Sequence, residues 1–340
     1  MKNKLVAVAR FSLFLGIGIF FIWLFLRNLS QEQKSEILDS FGKANYWWIA
    51  VSIILGLLAH YLRAIRWKML IEPMGYSPGN RNTFFAVMIG YLANLALPRL
   101  GEVSRCTVLT RYENVPFNKS FGTVITERAI DLIMFVFLFF LNLVLQFGKL
   151  NIYINEKIYR PLEAKLHLSM KLSGSISILI LTFFALSVIL YLIFRKSILH
   201  NRFFLKIKSL ALGFLEGIRS VAKVRNMWLF IAYSLSIWLL YLLMAYLVFF
   251  SFPESSHLGL DAGLATLVFG TIGIIIVQGG IGIYPAIVAE TLFLYAVETT
   301  KGYALGWLIW SSQTLTIILL GALSMILLPI LSKEKKNEQA

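Results

Sequence analysis

One cysteine, Cys106, is all the thiol this chain has, which excludes a disulfide framework and a thiolate metal cluster and leaves a small packing residue. Charge is scarce as well: 14% of the 340 residues are charged against 58% hydrophobic, and mean hydropathy is +0.76. A soluble globular domain does not have that balance, so the class is an all-α polytopic membrane protein. Acids are scarcest of all, 17 against 32 Lys and Arg, giving a net charge of +15. The bases sit in loops between apolar runs, so topology setting and attraction to anionic headgroups account for them, and no nucleic-acid partner is expected. Also missing are a D-x-D, an H-x-x-x-x-D, a P-loop and a metal-ligand cluster. No enzyme activity, metal or cofactor is therefore expected. His257 and Asp261 stand four apart in a short loop without a further partner, and His167 and His200 are lone loop histidines.

What is present is a series of apolar runs. The start, Met1-Lys2-Asn3-Lys4, looks like a signal peptide, but the run continues to about Leu26 without an A-x-A-like site, which predicts an uncleaved anchor helix over 5–26. Full spans are predicted at about 47–66, 121–146, 175–194, 227–251 and 303–330, with a polar loop after the first and another over 147–174. His60, Arg63 and Arg66 share a face near the end of the second span, and one reading has both arginines snorkelling to headgroups. Residues 202–223 alternate apolar and basic residues at helical spacing, an amphipathic helix at the cytoplasmic interface.

Two segments depart from this pattern. From Thr83 to Leu97 an apolar run falls short of the roughly 20 residues a crossing needs, and then breaks at Pro98-Arg99-Leu100-Gly101-Glu102. Arg105 follows one turn later, and Glu127, Arg128 and Asp131 enter the next long apolar helix. Charges at membrane depth mark a polar site by default, and irregular backbone is tolerated there only inside protein or beside a water-filled cavity. The second half repeats the break: the run reaches Val277, stops at Gln278-Gly279-Gly280-Ile281-Gly282, and a short run with Glu290 follows. Placing Gly90 on Gly270 sets Pro98 opposite Gln278. Read as re-entrant hairpins over about 83–118 and 261–298, the two segments leave six full spans. Both termini then lie on one side, with 23 of the 32 basic residues on that side, which the positive-inside rule makes cytoplasmic. The hairpins enter from opposite faces, as in an inverted-repeat transporter. The result is a single flippase-like transmembrane domain over 1–332 and a charged cytoplasmic tail over 333–340.

The string N-x-x-x-P-R-x-G-E-x-x-R (Asn94, Pro98, Arg99, Gly101, Glu102, Arg105), followed by E-R-x-x-D (Glu127, Arg128, Asp131) and GGIG in the second half, resembles the lysylphosphatidylglycerol synthase transmembrane, or flippase-like, family over roughly residues 5–330. The resemblance implies a lipid-handling domain of a bacterial or archaeal envelope, here placed in the bacterial inner membrane. In the best-known members it moves aminoacylated phosphatidylglycerol to the outer leaflet, while a separate C-terminal soluble domain makes that lipid. This chain is expected to lack that domain. It also departs from the pattern at Gln278, where relatives carry proline, and at Tyr284-Pro285, where an Arg-Glu pair is common.

The residues themselves suit a headgroup. Arg99 and Arg105 offer bidentate donors to phosphate, and the start of the helix after Gly101 would add backbone donors. Glu102, Glu127 and Asp131 could meet an ammonium or carry a proton. Asn94 and Arg128 complete the set from the first half, and Gln278 and Glu290 are its counterparts in the second. Pro98, Gly101, Gly279, Gly280 and Gly282 make the breaks. Arg99, Arg105 and Arg128 also balance Glu102, Glu127 and Asp131 three to three, so a closed internal network that binds nothing is the bland alternative, with Glu102 and Arg105 its most natural pair. Asn142, Gln146 and Gln313 each suit an interhelical hydrogen bond. The function that follows is translocation of a phospholipid or a polyprenyl-phosphate-linked lipid. A membrane-embedded glycosyltransferase or other lipid-modifying enzyme is the rival, and a non-transporting partner of a separately encoded lipid-modifying enzyme the third reading. A second copy of the chain is compatible with each.

Overall fold

The computed structural model describes residues 16, 19–27, 29–153 and 224–337, without the side chains of 147–153, 278 and 332–337. Ten α-helices, joined in places by short 3-10 turns, and no strand occur among them: α1 (19–26), α2 (Gln31–Lys43), α3 (Tyr46–Ile71), α4 (Asn80–Ala96), α5 (Leu100–Glu113), α6 (Phe117–Tyr153), α7 (Met227–Val248), α8 (Leu260–Ile276), α9 (Ile283–Phe293) and α10 (Thr299–Asn337). Four of them, α3, α6, α7 and α10, are long and apolar enough to cross a membrane, and they coincide with four of the six expected spans. The spans at 175–194 and over most of 5–26, and the amphipathic helix at 202–223, lie outside the described residues.

Two expectations are corrected. The polar stretch after the first span is not a loop but α2, opened by a capping box in which Ser30 accepts from the Gln33 amide at 3.2 Å and Gln33 accepts from the Ser30 amide at 3.0 Å. Polarity hid a helix whose apolar side, Ile37, is buried against the α10 end of the bundle. The helix α6 runs to Tyr153, past the expected end at Gln146, because Phe147–Tyr153 contains no proline to stop it.

The two halves are built alike. Asn45 caps α3 and Asn226 caps α7, each through its side-chain oxygen. Asn80–Ala96 and Leu260–Ile276 are both 17-residue helices that begin after a glycine and end on one extended residue, Leu97 (φ −145°) and Val277 (φ −116°). Two residues further on, each chain turns left-handed, at Arg99 (φ 65°) and Gly279 (φ 72°). The first break uses Pro98, which holds Leu97 extended; the second reaches the same turn with glycines. A left-handed arginine costs about 1–2 kcal/mol where a glycine costs nothing.

Packing repeats this relation with the halves exchanged. The helices α3 and α7 run antiparallel, since Ser52 donates to the Met244 carbonyl at 3.0 Å while Arg66, further along α3, reaches back to Ser234 at 3.3 Å. The helix α4 packs on α10 of the other half, and α8 on α6. Each broken segment is a helical hairpin. In the first, the Asn82 amide meets the Glu113 carboxylate at the open end, and Gly90 lies against Gly101 near the tip. Its open end shares a face with the turns at 72–79 and 224–226, where Lys68 donates to Asn80 at 2.9 Å. The second hairpin opens toward the other face, where Lys301 lies 3.1 Å from Glu36 and the Asn45 amide donates to Ser251. The tips approach each other inside the bundle, with α4 contacting the turn at Gln278–Gly280.

A methyl group at Gly101 would overlap the Gly90 carbonyl and the Asn94 side chain, both fixed by the hairpin. Gly101→Ala is therefore expected to abolish recovery of monodisperse protein in size-exclusion chromatography. Gly42→Ala, which meets nothing within 4 Å, should leave the profile unchanged.

Candidate functional site

At the crossing of α3, α5, α6 and α7 lies a buried cluster of charge. Glu127 and Arg66 are fully buried, Arg105 is 3% exposed and Arg63 6%. Glu127 and Asp131, one turn apart on α6, face Arg63 and Arg66, nearly one turn apart on α3. Arg63 Nε donates to Glu127 Oε1 at 2.7 Å, and its Nη2 to Asp131 Oδ2. Arg66 Nη2 donates to Asp131 Oδ1 at 2.7 Å and lies 3.3 Å from Glu127 Oε1. Arg105, from α5, places Nη1 2.7 Å from Glu127 Oε2. The surroundings orient the arginines: Tyr241 on α7 accepts from Arg63 at 3.1 Å, and the Arg105 guanidinium lies 4.6 Å from the centre of the Trp67 ring. Trp67 is itself held by a hydrogen bond to Thr123 at 2.9 Å.

Glu127, Asp131 and Arg105 are thus brought together as expected. Arg63 and Arg66 are not snorkelling residues; both are buried in the cluster. Their spacing with His60 on one face was the available signal, and the direction of that face, toward α6 and α7 rather than the headgroups, depends on tertiary packing. His60 is buried too, its ring 4.9 Å from that of Tyr91. The expected pairing of Glu102 with Arg105 is replaced: Glu102 Oε1 pairs with Arg128 Nη2 at 3.1 Å, a half-exposed contact between α5 and α6. One turn of α5 separates Glu102 and Arg105, and the buried Glu127 competes for the latter with a carboxylate already in low dielectric.

Arg99 stands apart. It is exposed at the tip of the first hairpin and makes no ion pair or hydrogen bond through its side chain among the described residues. Asn94 accepts from the Gly101 amide at 2.8 Å, tying the end of α4 to the start of α5. The Leu100 amide is taken by the Leu97 carbonyl at 3.2 Å. The first two donors of α5 are therefore engaged within the protein, and the helix start offers an anion less than the sequence suggests.

In the second half, the Gly279 carbonyl accepts from Trp310 Nε1 at 2.6 Å, and Gly280 and Gly282 also adopt positive φ. The break glycines therefore make a turn. Glu290 is exposed on α9, and the Gln278 side chain lies outside the described atoms. The ion pairs that join Arg63, Arg66 and Arg105 to their acids come from the first half alone, with α7 adding Tyr241 and Ser234. Of the isolated polar residues, Gln146 bonds the Asp261 carbonyl at 3.1 Å and Gln313 reaches Ser52 at 3.4 Å, whereas the buried Asn142 side chain has no hydrogen-bond partner among the described residues.

Comparison with known proteins finds relatives among membrane proteins. Residues 9–329 match the family model described as the lysylphosphatidylglycerol synthase TM region. The chain is 27% identical over 135 residues to a UPF0104 membrane protein of Methanocaldococcus jannaschii, covering 39% of each. It is 26% identical over 272 residues to a UPF0104 membrane protein of Methanothermobacter thermautotrophicus, covering 73% of this chain and 75% of that one. A shorter similarity, 27% over 102 residues, is to glycosyltransferase AglD of Haloferax volcanii, covering 30% of this chain and 16% of that protein. No solved structure matches.

Proposed function

The chain belongs to the lysylphosphatidylglycerol synthase transmembrane-region family of multi-pass membrane proteins, and from that premise we propose that it translocates a lipid or lipid-linked substrate, holding an anionic or zwitterionic headgroup at the break between α4 and α5. The observation that carries this reading is Arg99: an exposed cation without an ion pair among the described residues, held in a strained left-handed turn, at the tip of a helical hairpin whose next turns hold the buried Arg105. Strain retained in a turn that the other half makes with glycine marks a side chain kept for a purpose other than folding.

We read the two hairpins as re-entrant, entering from opposite faces of a cytoplasmic membrane. The face that bears the turns at 72–79 and 224–226 is cytoplasmic by its basic excess, with both termini on that side. The bacterial inner membrane is one such membrane; the relatives named above are archaeal. The antiparallel halves and meeting tips support a site near the midplane that opens alternately to either side. The partner is a phospholipid or polyprenyl-phosphate-linked lipid, and no catalytic step is assigned.

A second reading is favoured by the similarity to part of glycosyltransferase AglD: a domain of this family serving a separate lipid-modifying enzyme as its membrane partner. Vesicles separate the two. The purified chain alone should accelerate leaflet exchange of a tail-labelled phosphatidylglycerol, followed by quenching with an impermeant reductant. A rate equal to that of protein-free vesicles would favour the partner role.

A further inference from the structure

Positive charge and buried donors outnumber acids and acceptors in the buried cluster. All four carboxylate oxygens of Glu127 and Asp131 already face an arginine: Glu127 Oε1 faces Arg63 and Arg66, Glu127 Oε2 faces Arg105, Asp131 Oδ1 faces Arg66 and Asp131 Oδ2 faces Arg63. Against them stand buried donors with no hydrogen-bond partner among the described residues: Arg105 Nε and Nη2, and Arg66 Nε. Three arginines share two carboxylates, and Arg99, without an ion pair among the described residues, lies six residues before Arg105, about 9 Å along the helix. Buried charge-bearing donors without an acceptor are costly, and a bound anion is what relieves them.

We infer that the headgroup taken at the first break is a net-anionic phosphate group that carries no ammonium. This rests on the reading of that break as a lipid site and narrows its cargo. An ammonium would have to displace an arginine from Glu127 or Asp131, breaking a buried pair, and would meet the surplus positive charge of Arg99 and Arg105 at close range. A phosphodiester instead brings acceptor oxygens and one negative charge to guanidinium groups shaped to bind them. Two buried acceptors have no hydrogen-bond partner among the described residues: Glu127 Oε2, which lies 2.7 Å from the Arg105 guanidinium, and Glu102 Oε2, on an acid already paired with Arg128. A neutral hydroxyl of the headgroup fits Glu102 Oε2 better than a second cation does. The site so described differs from one built for aminoacylated phosphatidylglycerol, whose headgroup bears an added ammonium.

Native mass spectrometry of the full purified chain in detergent tests this with phosphatidylglycerol, lysyl-phosphatidylglycerol and phosphatidylethanolamine of identical tails, supplied in equal amounts. Wild type should retain phosphatidylglycerol at least tenfold over each of the others, and Arg99→Gly should bring the ratio close to one. Equal or greater retention of an ammonium-bearing lipid, lost in Arg99→Gly, would overturn the headgroup assignment while leaving the lipid site in place. Non-selective retention unaffected by Arg99→Gly would overturn the lipid site itself. A phosphatidylglycerol preference that survives Arg99→Gly would place the headgroup elsewhere. Inorganic phosphate that displaces phosphatidylglycerol at equal concentration would show that the site takes free phosphate, not lipid.

Discussion

Arg99→Gly should abolish selective lipid retention and leaflet exchange while leaving the protein at least as stable as wild type. Arginine at φ 65° costs about 1–2 kcal/mol that glycine does not, and glycine adds roughly 0.5–1 kcal/mol of unfolded-chain entropy in return. The balance is a small gain or no change in melting temperature in detergent. No ion pair is lost, because Arg99 makes none among the described residues. A side chain that served the fold would behave the opposite way, with its removal lowering stability and leaving lipid handling intact. Arg99→Lys keeps the charge without the planar fork, and should recover part of the retention.

Glu127→Gln should have the larger effect on the protein itself. Glu127 is fully buried and faces three arginines, so the neutral amide leaves Arg63, Arg66 and Arg105 sharing only Asp131. Removing one partner of a buried pair costs about 3–5 kcal/mol, a large share of the roughly 5–15 kcal/mol that holds a typical domain. Loss of monodisperse protein at the expression temperature is the expected result. Glu102→Gln, whose partner Arg128 is 43% exposed at the side chain, should cost less than about 1 kcal/mol. A Glu127→Gln protein that melts within ~2 °C of wild type would contradict the role of the cluster as the joint between α3, α5 and α6.

The sequence made some of this legible and hid the rest for identifiable reasons. Both breaks were readable, because Pro98 and the glycines after Gln278 interrupt apolar runs too short to span. The register of Gly90 on Gly270 is the register of the two 17-residue helices. Charge in an apolar segment singled out Glu127, Asp131 and Arg105. Their partners were not readable, since Arg63 and Arg66 lie more than 60 residues away and sit near the end of a span, where snorkelling and pairing give the same local pattern. The Asn94 contact with Gly101 was hidden for a related reason: it spans a break whose geometry no local propensity sets. The helix α2 is hidden by its polar composition, which suits a loop equally, although its capping box at Ser30 and Gln33 is a local signal for a helix start.

Translocation at the α4–α5 break is the central claim, and leaflet exchange with wild type and Arg99→Gly side by side addresses it most directly. Each would be reconstituted at equal density in vesicles holding a tail-labelled phosphatidylglycerol, with the outer label reduced and the remaining decay followed. The expected result is decay well above the protein-free rate for wild type and at that rate for Arg99→Gly, with both proteins equally folded. Equal decay for the two proteins, whether fast or at the protein-free rate, would contradict the account.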